Sequence, residues 1–217
     1  MTTTLRFILI LTASGILTPT KSFSQDFCIL ANTGFSYRLV TLKDTISSSY
    51  QSYFNKKKPG YNYNIEAVWY SEDQGIGLRL NSFLNSVSGK DIYLSRSEKV
   101  DKSENIRIDY YSIQYHNRKQ IKTSRFWTEL SAGVGYVRYH SIGNEMAEEI
   151  TIIGKTAGLN ATLYLDYHIF KFLSINFSTN FFIAVLSKDI NNGNTEILKN
   201  KEGLTRIDLN GGMRISF

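Results

Sequence analysis

The chain has 217 residues, 25 basic and 19 acidic side chains for a formal net charge of +6, one cysteine, two prolines, 14 tyrosines and 13 phenylalanines. A lone cysteine excludes an intrachain disulfide, and basic residues gathered in "NKKKPG" and "NRKQIK", without interleaved aromatics, read as solvated loops and exclude a nucleic-acid partner. Past the N-terminal segment no stretch is apolar enough for a membrane helix, which leaves a soluble all-β domain or a membrane barrel.

The first segment carries Arg6, an apolar run from Phe7 to Leu17, Pro19, and small residues Ser22 and Ser24 at positions −3 and −1 of a cut before Gln25. That layout predicts a cleaved secretory signal over residues 1–24 and one domain over residues 25–217. Cys28 lacks the small apolar residues that precede a lipid-modified cysteine, and it reads as an ordinary strand residue.

Eight segments alternate apolar and polar residues with the period of a strand, about 2 residues. The first, Cys28–Leu42, puts Ala31, Thr33, Phe35, Tyr37 and Leu39 on one face, with Asn32, Gly34, Ser36 and Arg38 on the other. Tyr61–Ser71 sets Tyr61, Tyr63, Ile65 and Trp69 against Asn62, Asn64 and Glu66; Ile76–Val87 sets Ile76, Leu78, Leu80 and Leu84 against Gly77, Arg79 and Asn81. The fourth, Asn105–Tyr115, is irregular: Ile106 and Ile108 fall on one face and Tyr111, Ile113 and Tyr115 on the other, so a bulge near Tyr110 is expected. Arg125–His140 opposes Leu130, Ala132, Val134 and Tyr136 to Glu129, Ser131, Gly133 and Gly135. Gly154–Phe170 opposes Leu159, Leu163, Leu165 and Tyr167 to Asn160, Thr162, Asp166 and His168; Leu173–Leu186 opposes Ile175, Phe177, Phe181 and Ile183 to Ser174, Asn176, Ser178 and Asn180. The last strand ends the chain as "RIDLNGGMRISF", with Ile207, Leu209, Met213, Ile215 and Phe217 opposite Arg206, Asp208, Asn210 and Arg214.

The connections alternate in length. Residues 43–60, 88–104, 141–153 and 187–203 are long, whereas "SEDQG", 117–124 and "FKF" are short. In an up-and-down barrel alternate connections share an end, so one end carries four long loops and the other the turns and both termini. Trp69, Tyr70, Phe126, Trp127, Tyr167, Phe170, Phe172 and Phe217 fall at the turn end, and Tyr61, Tyr63 and Tyr139 at the loop end. Two aromatic levels flanking an apolar band match interfacial girdles. The polar face holds Arg38, Arg79, Arg206 and Arg214 against Glu66, Glu129, Asp166 and Asp208. Charges in so narrow a barrel persist only when paired, which predicts a plugged, ion-paired lumen. A soluble ligand barrel would reverse the two faces.

This pattern resembles the small eight-stranded outer-membrane β-barrels of Gram-negative bacteria, of the OmpA/OmpX type, over the whole chain past the signal. Its most specific element is the terminal strand: Phe217, with Leu209, Met213 and Ile215 before it, is similar to the C-terminal signal read by the outer-membrane assembly machinery. The resemblance implies an outer-membrane location, contact with outer-membrane lipid and lipopolysaccharide, engagement of that machinery through the last strand, and extracellular loops able to hold a ligand. It implies a structural or surface-interaction role with no cofactor.

Two other functions compete with that reading. A lipid A deacylase needs a histidine within hydrogen-bond reach of a nucleophile. His140 and Ser141 are adjacent, with Glu145 nearby, but neighbours on a strand face opposite ways. His168 shares the lumen face with Asp166, as expected of an ion pair, and His116 falls near a turn and reads as solvated. No cluster has metal-ligand spacing; "DKSEN" and "NNGNTE" read as solvated loops rather than calcium sites. The glycines of "GVGYVRYH" read as relief of lumen crowding rather than a phosphate cradle. A narrow channel is the second competitor, and the balanced lumen charge argues against it.

Overall fold

The structure, a computed structural model, describes residues 25–40, 48–93, 99–122, 124–145, 148–191 and 194–217; the expected signal segment lies outside them. In chain order the elements are β1 (Gln25–Arg38), α1 (Ser48–Lys56), β2 (Pro59–Ser71), β3 (Gln74–Tyr93), β4 (Lys99–Gln120), β5 (Phe126–Glu145), β6 (Glu148–Phe170), β7 (Leu173–Asn191), β8 (Asn194–Gly203) and β9 (Arg206–Ser216).

Strands β1 to β7 pair consecutively and antiparallel, and β9 closes the ring by pairing with both β1 and β7. The β8 segment pairs with β7 beyond the end of β9, so β8 and β9 are two halves of one stave interrupted at Leu204 and Thr205. The result is an eight-stranded antiparallel up-and-down barrel. Two of its turns are as tight as a hairpin permits: the closing pairs are Ser71–Gln74 and Phe170–Leu173. The Phe217 amide donates to the Phe27 carbonyl at 2.8 Å, tying the two termini together at this turn end.

The alternation decides which side faces where. Along β9, Arg206, Asp208, Asn210 and Arg214 are buried inside, while Ile207, Leu209, Met213 and Ile215 point outward. An outer wall of Leu, Ile, Val, Phe and Tyr runs around every barrel strand. Such a continuous apolar surface far exceeds what a water-soluble monomer exposes, and with a polar interior it is the inverse of a soluble core. At the turn end aromatic side chains gather in pairs on the outside: Phe27–Trp69 at 5.0 Å, Phe126–Tyr167 at 5.0 Å and Phe170–Phe172 at 5.7 Å between ring centroids. At the other end Phe35 and Tyr61 pair at 5.2 Å. Tyr70 and Tyr139 do not join these girdles. They sit at lumen-facing positions of their strands and are buried.

The structure corrects the fourth strand. β4 pairs with β5 without a register shift from Lys102 to Gln120, so no bulge exists at Tyr110. Ile106, Ile108 and Tyr110 face the lumen, and Tyr111, Ile113 and Tyr115 face outward, in one continuous alternation. The pattern misled because the lumen changes character along its length: near the long connections it is apolar, so two isoleucines on the inner face mimic an outer one. The long connections differ as well. Strands β3 to β8 continue far into them as projecting hairpins, and the first connection contains α1.

Glycine matters where the staves approach most closely. A Cβ at Gly133 would meet the Gln114 side chain, and one at Gly135 would meet the β4 backbone at Tyr111.

Candidate functional site

Three layers fill the barrel. The layer nearest the turn end is charged. Glu66 and Arg79 are register partners on β2 and β3, with Arg79 Nε 3.3 Å from Glu66 Oε1. Arg79 Nη1 donates to Thr162 at 2.8 Å, its Nη2 to the Tyr164 hydroxyl, and Tyr164 donates to Glu66 Oε2 at 2.7 Å. Arg214 lies between two carboxylates, Glu129 at 2.6 Å and Asp166 at 3.1 Å. The Tyr70 hydroxyl donates to Glu129 at 2.7 Å and accepts from Arg214 Nη1 at 3.0 Å. His116 joins the two halves: Nδ1 hydrogen-bonds Glu129 Oε1 at 2.6 Å, and Nε2 faces Glu66 Oε1 at 3.4 Å, an electrostatic contact without hydrogen-bond alignment.

The middle layer is built of amides and a second ion pair. Asn160 accepts from Tyr110 at 2.9 Å and from Gln114 at 2.8 Å. Asp208 accepts from Ser36 at 2.5 Å, Asn180 at 2.7 Å and Arg206 Nε at 3.1 Å, and Arg206 Nη2 also donates to Asn81. Arg38 donates to the Gly203 carbonyl at 3.2 Å.

The third layer is apolar. Phe83, Ile106, Ile108, Val137, Phe182, Leu186 and Leu204 form a buried cluster across the lumen beneath the hairpins. Above it α1 leans on β3 through Tyr53, which packs with Val87, Ile92 and Val100. The Lys57 ammonium pairs with Glu104, which also accepts from Ser141 at 2.7 Å. Glu104 lies beyond the apolar band, since its outward neighbours on β4 are Asn105 and Arg107. Burial alone would raise its pKa, but Lys57 and the Ser141 hydroxyl outweigh that and hold the carboxyl below the ordinary glutamate value.

The structure therefore brings Glu66 to Arg79, Arg214 to Glu129 and Asp166, and Arg206 to Asp208. It seats Arg38 against a backbone carbonyl. Sequence reasoning missed His116 and the tyrosines. His116 is fully buried at the centre of the charged layer rather than solvated; its signal was its shared face with Ser112 and Gln114, which only the corrected reading of β4 exposes. His168 packs its ring on Trp127 at 5.7 Å, while Asp166 goes to Arg214, so those two do not form the expected pair. Ser141 points inward to Glu104 and His140 lies on the outer side of the same strand, which separates base from nucleophile. Among the described residues, no three His, Cys, Asp or Glu side chains gather as a metal site; "NNGNTE" lies partly outside them. Cys28 is buried against Ser216, Sγ to Oγ 3.2 Å. On the last strand Leu209, Met213, Ile215 and Phe217 all project outward, Phe217 at 71% exposure.

No protein-family model matches the chain, and neither does any curated protein. Solved structures do. The chain is similar to Neisserial surface protein A, at 12% identity and a TM-score of 0.53, over 88% of this chain and 97% of that one. It is similar to a major outer membrane protein from Thermus thermophilus, at 13% identity and a TM-score of 0.57, over 89% and 100%. Both likenesses concern the fold: a transmembrane β-barrel of the outer-membrane type.

Proposed function

We propose that this chain is an outer-membrane barrel that works through its surfaces: a structural and surface-interaction protein, not an enzyme and not an open pore. The observation that carries this reading is the filled lumen. A charged layer, an amide layer and an apolar layer succeed one another, and the Arg206 guanidinium lies 4.2 Å from the Phe182 ring centroid where the last two meet. An ion crossing the barrel must displace paired charges and then leave water altogether. The same burial argues against catalysis at His116, whose two nitrogens already face carboxylates and which no bulk substrate reaches.

In this reading the turns and both termini are periplasmic. The four hairpins are extracellular and offer the surface for a ligand. The outward face of β9, ending in Leu209, Met213, Ile215 and Phe217, serves the assembly machinery before it meets lipid. A narrow channel has one observation in its favour, a file of lumen amides at Asn32, Asn62, Asn176 and Asn210. Recording from purified protein in planar lipid bilayers tests both. A closed barrel leaves the membrane silent; reproducible conductance steps that Arg206→Ala or Phe182→Ala enlarges would replace it with a gated channel.

A further inference from the structure

At the turn end a cavity of about 710 Å³ lies between two turns, the one joining β4 to β5 and the one joining β6 to β7. That size suits a small organic ligand. Trp127 and His168, both half-buried, form its aromatic side, with ring centroids 5.7 Å apart and planes tilted by 45°. The two walls are tied together, because the His168 amide donates to the Arg125 carbonyl at 3.0 Å.

The cations of this end fall into two sets. Arg118 and Arg214 are committed. Arg118 pairs with Asp26 at 2.6 Å and lies over Tyr70 and Trp127, 4.1 Å and 5.5 Å from the ring centroids. Arg214 is held by Glu129 and Asp166. Arg125 and Lys171, by contrast, line the cavity, are exposed and have no carboxylate partner among the described residues. No Asp or Glu lines the cavity. The chain's own C-terminal carboxylate follows Ser216, whose amide donates to the Phe172 carbonyl at 2.9 Å, so it stands by the rim and outside the lining. Neutral polar groups complete the walls. Gln120 donates Nε2 to the Ser124 carbonyl at 2.8 Å, which fixes the amide and leaves its oxygen as an acceptor. The Trp127 indole N–H and the His168 imidazole have no hydrogen-bond partner among the described residues.

We infer that this cavity binds a carboxylated sugar, its ring packed on Trp127, its carboxylate between Arg125 and Lys171, and its hydroxyls on Gln120 and His168. The inference rests on the reading of the turn end as the periplasmic end of a barrel. Two uncommitted cations select an anion, and the Arg125 guanidinium presents a fork that matches a carboxylate. The half-buried indole offers a flat apolar face, against which the C–H side of a sugar ring packs. Gln120 and His168 supply the acceptor and donor that neighbouring hydroxyls require, and an aromatic acid would leave both unused.

The test is fluorescence titration of the detergent-solubilised barrel. The chain has two tryptophans, so Trp69→Phe leaves Trp127 as the reporter. The probes are glucuronate, glucose (the same ring without the carboxylate), hydrocinnamate and phosphatidylglycerol. The expected result is a saturable change with glucuronate, with glucose and hydrocinnamate each bound at least about 10-fold more weakly. Arg125→Gln/Lys171→Gln should bring glucuronate down to the affinity of glucose. Trp127→Ala, followed by calorimetry, should lose a further factor of about 10, and Trp127→Phe should restore it. A disaccharide ending in glucuronate separates two sources of the same chemistry: tighter binding than the monomer supports a glycan chain, equal binding a free sugar acid. Equal affinity for glucuronate and glucose, or a double variant that binds glucuronate as well as the parent, would overturn the inference. Tighter binding of hydrocinnamate would overturn it in favour of an aromatic acid, and a response to phosphatidylglycerol alone in favour of a lipid headgroup. Each variant is first run unboiled on a gel. A heat-dependent shift in the parent keeps the barrel reading intact if the sugar result fails; its absence from the parent removes the barrel reading and this inference together.

Discussion

The Arg206 guanidinium lies over the face of Phe182, 4.2 Å from the ring centroid, while its Nε holds Asp208 at 3.1 Å. One side chain thus joins two kinds of lumen, ion-paired toward the turns and apolar toward the hairpins. A buried charge is tolerated only when its partners replace water, and Arg206 has Asp208 on one side, Asn81 on another and an aromatic face above. Arg206→Ala should therefore leave Asp208 short of its cation and destabilise the barrel by about 3–5 kcal/mol. The double variant Arg206→Leu/Asp208→Leu should recover most of that loss. Urea unfolding in detergent micelles measures both; equal stability of the single variant and the parent would contradict the pairing.

The charged layer has an unequal hierarchy. Glu129 holds Arg214, His116 and Tyr70 at once, whereas among the described residues Asp166 pairs with Arg214 alone, at the same Nη2 and the longer distance of 3.1 Å. Glu129→Gln should cost about 3–5 kcal/mol, and Asp166→Asn only about 1 kcal/mol, because Arg214 keeps its shorter pair. From sequence alone Asp166 and Glu129 are equivalent carboxylates on the lumen face. The same unfolding experiment ranks them, and the reverse order would contradict this network.

Lipid-facing positions should reject charge. Leu163 and Ile183 project outward from β6 and β7. Arg at either position should cost about 2–4 kcal/mol if it lies near the bilayer midplane. Heat-shifted band intensity in the membrane fraction reports the loss. Full assembly of Leu163→Arg would mean the faces are reversed.

Glu104 makes the docking of α1 pH-dependent. Its folded pKa lies below the ordinary glutamate value, so the stabilisation it gives is fully present above about pH 4.3 and is lost as pH falls through the lower folded value. A nitroxide on Gln51→Cys, an exposed position of α1, should become more mobile over that acid range, while buried Cys28 takes up no label. Glu104→Gln should show high mobility at every pH. A label whose mobility ignores pH in the parent would contradict the tether.

Phe217 is exposed, and its ring meets that of Phe27 at 5.8 Å, its one ring contact among the described residues. Phe217→Ala should change the unfolding free energy of the assembled barrel by less than about 1 kcal/mol. It should sharply reduce the amount assembled in cells, which separates a role in insertion from one in stability.

Much of this was legible in the sequence because a barrel wall has a period of two and nothing else to satisfy. The faces of β1, β2, β5, β6, β7 and β9 follow directly from alternation. Legibility fails where a face changes its solvent. Ile106 and Ile108 point into an apolar lumen, and so shifted the expected face of β4 and hid His116. The hairpin extensions failed for a related reason: beyond the lipid both faces meet water or a local cluster, and the alternation that marks a strand fades.

The central claim is a closed barrel whose oily face meets lipid. Its most direct test is fractionation of cells expressing the chain, followed by gels of the outer-membrane fraction with and without boiling. The account predicts the protein in that fraction, with a fast-migrating unboiled band that shifts on heating. A soluble periplasmic protein with no heat shift would contradict it, because the outward Leu, Ile and Phe side chains would then have to bury against one another.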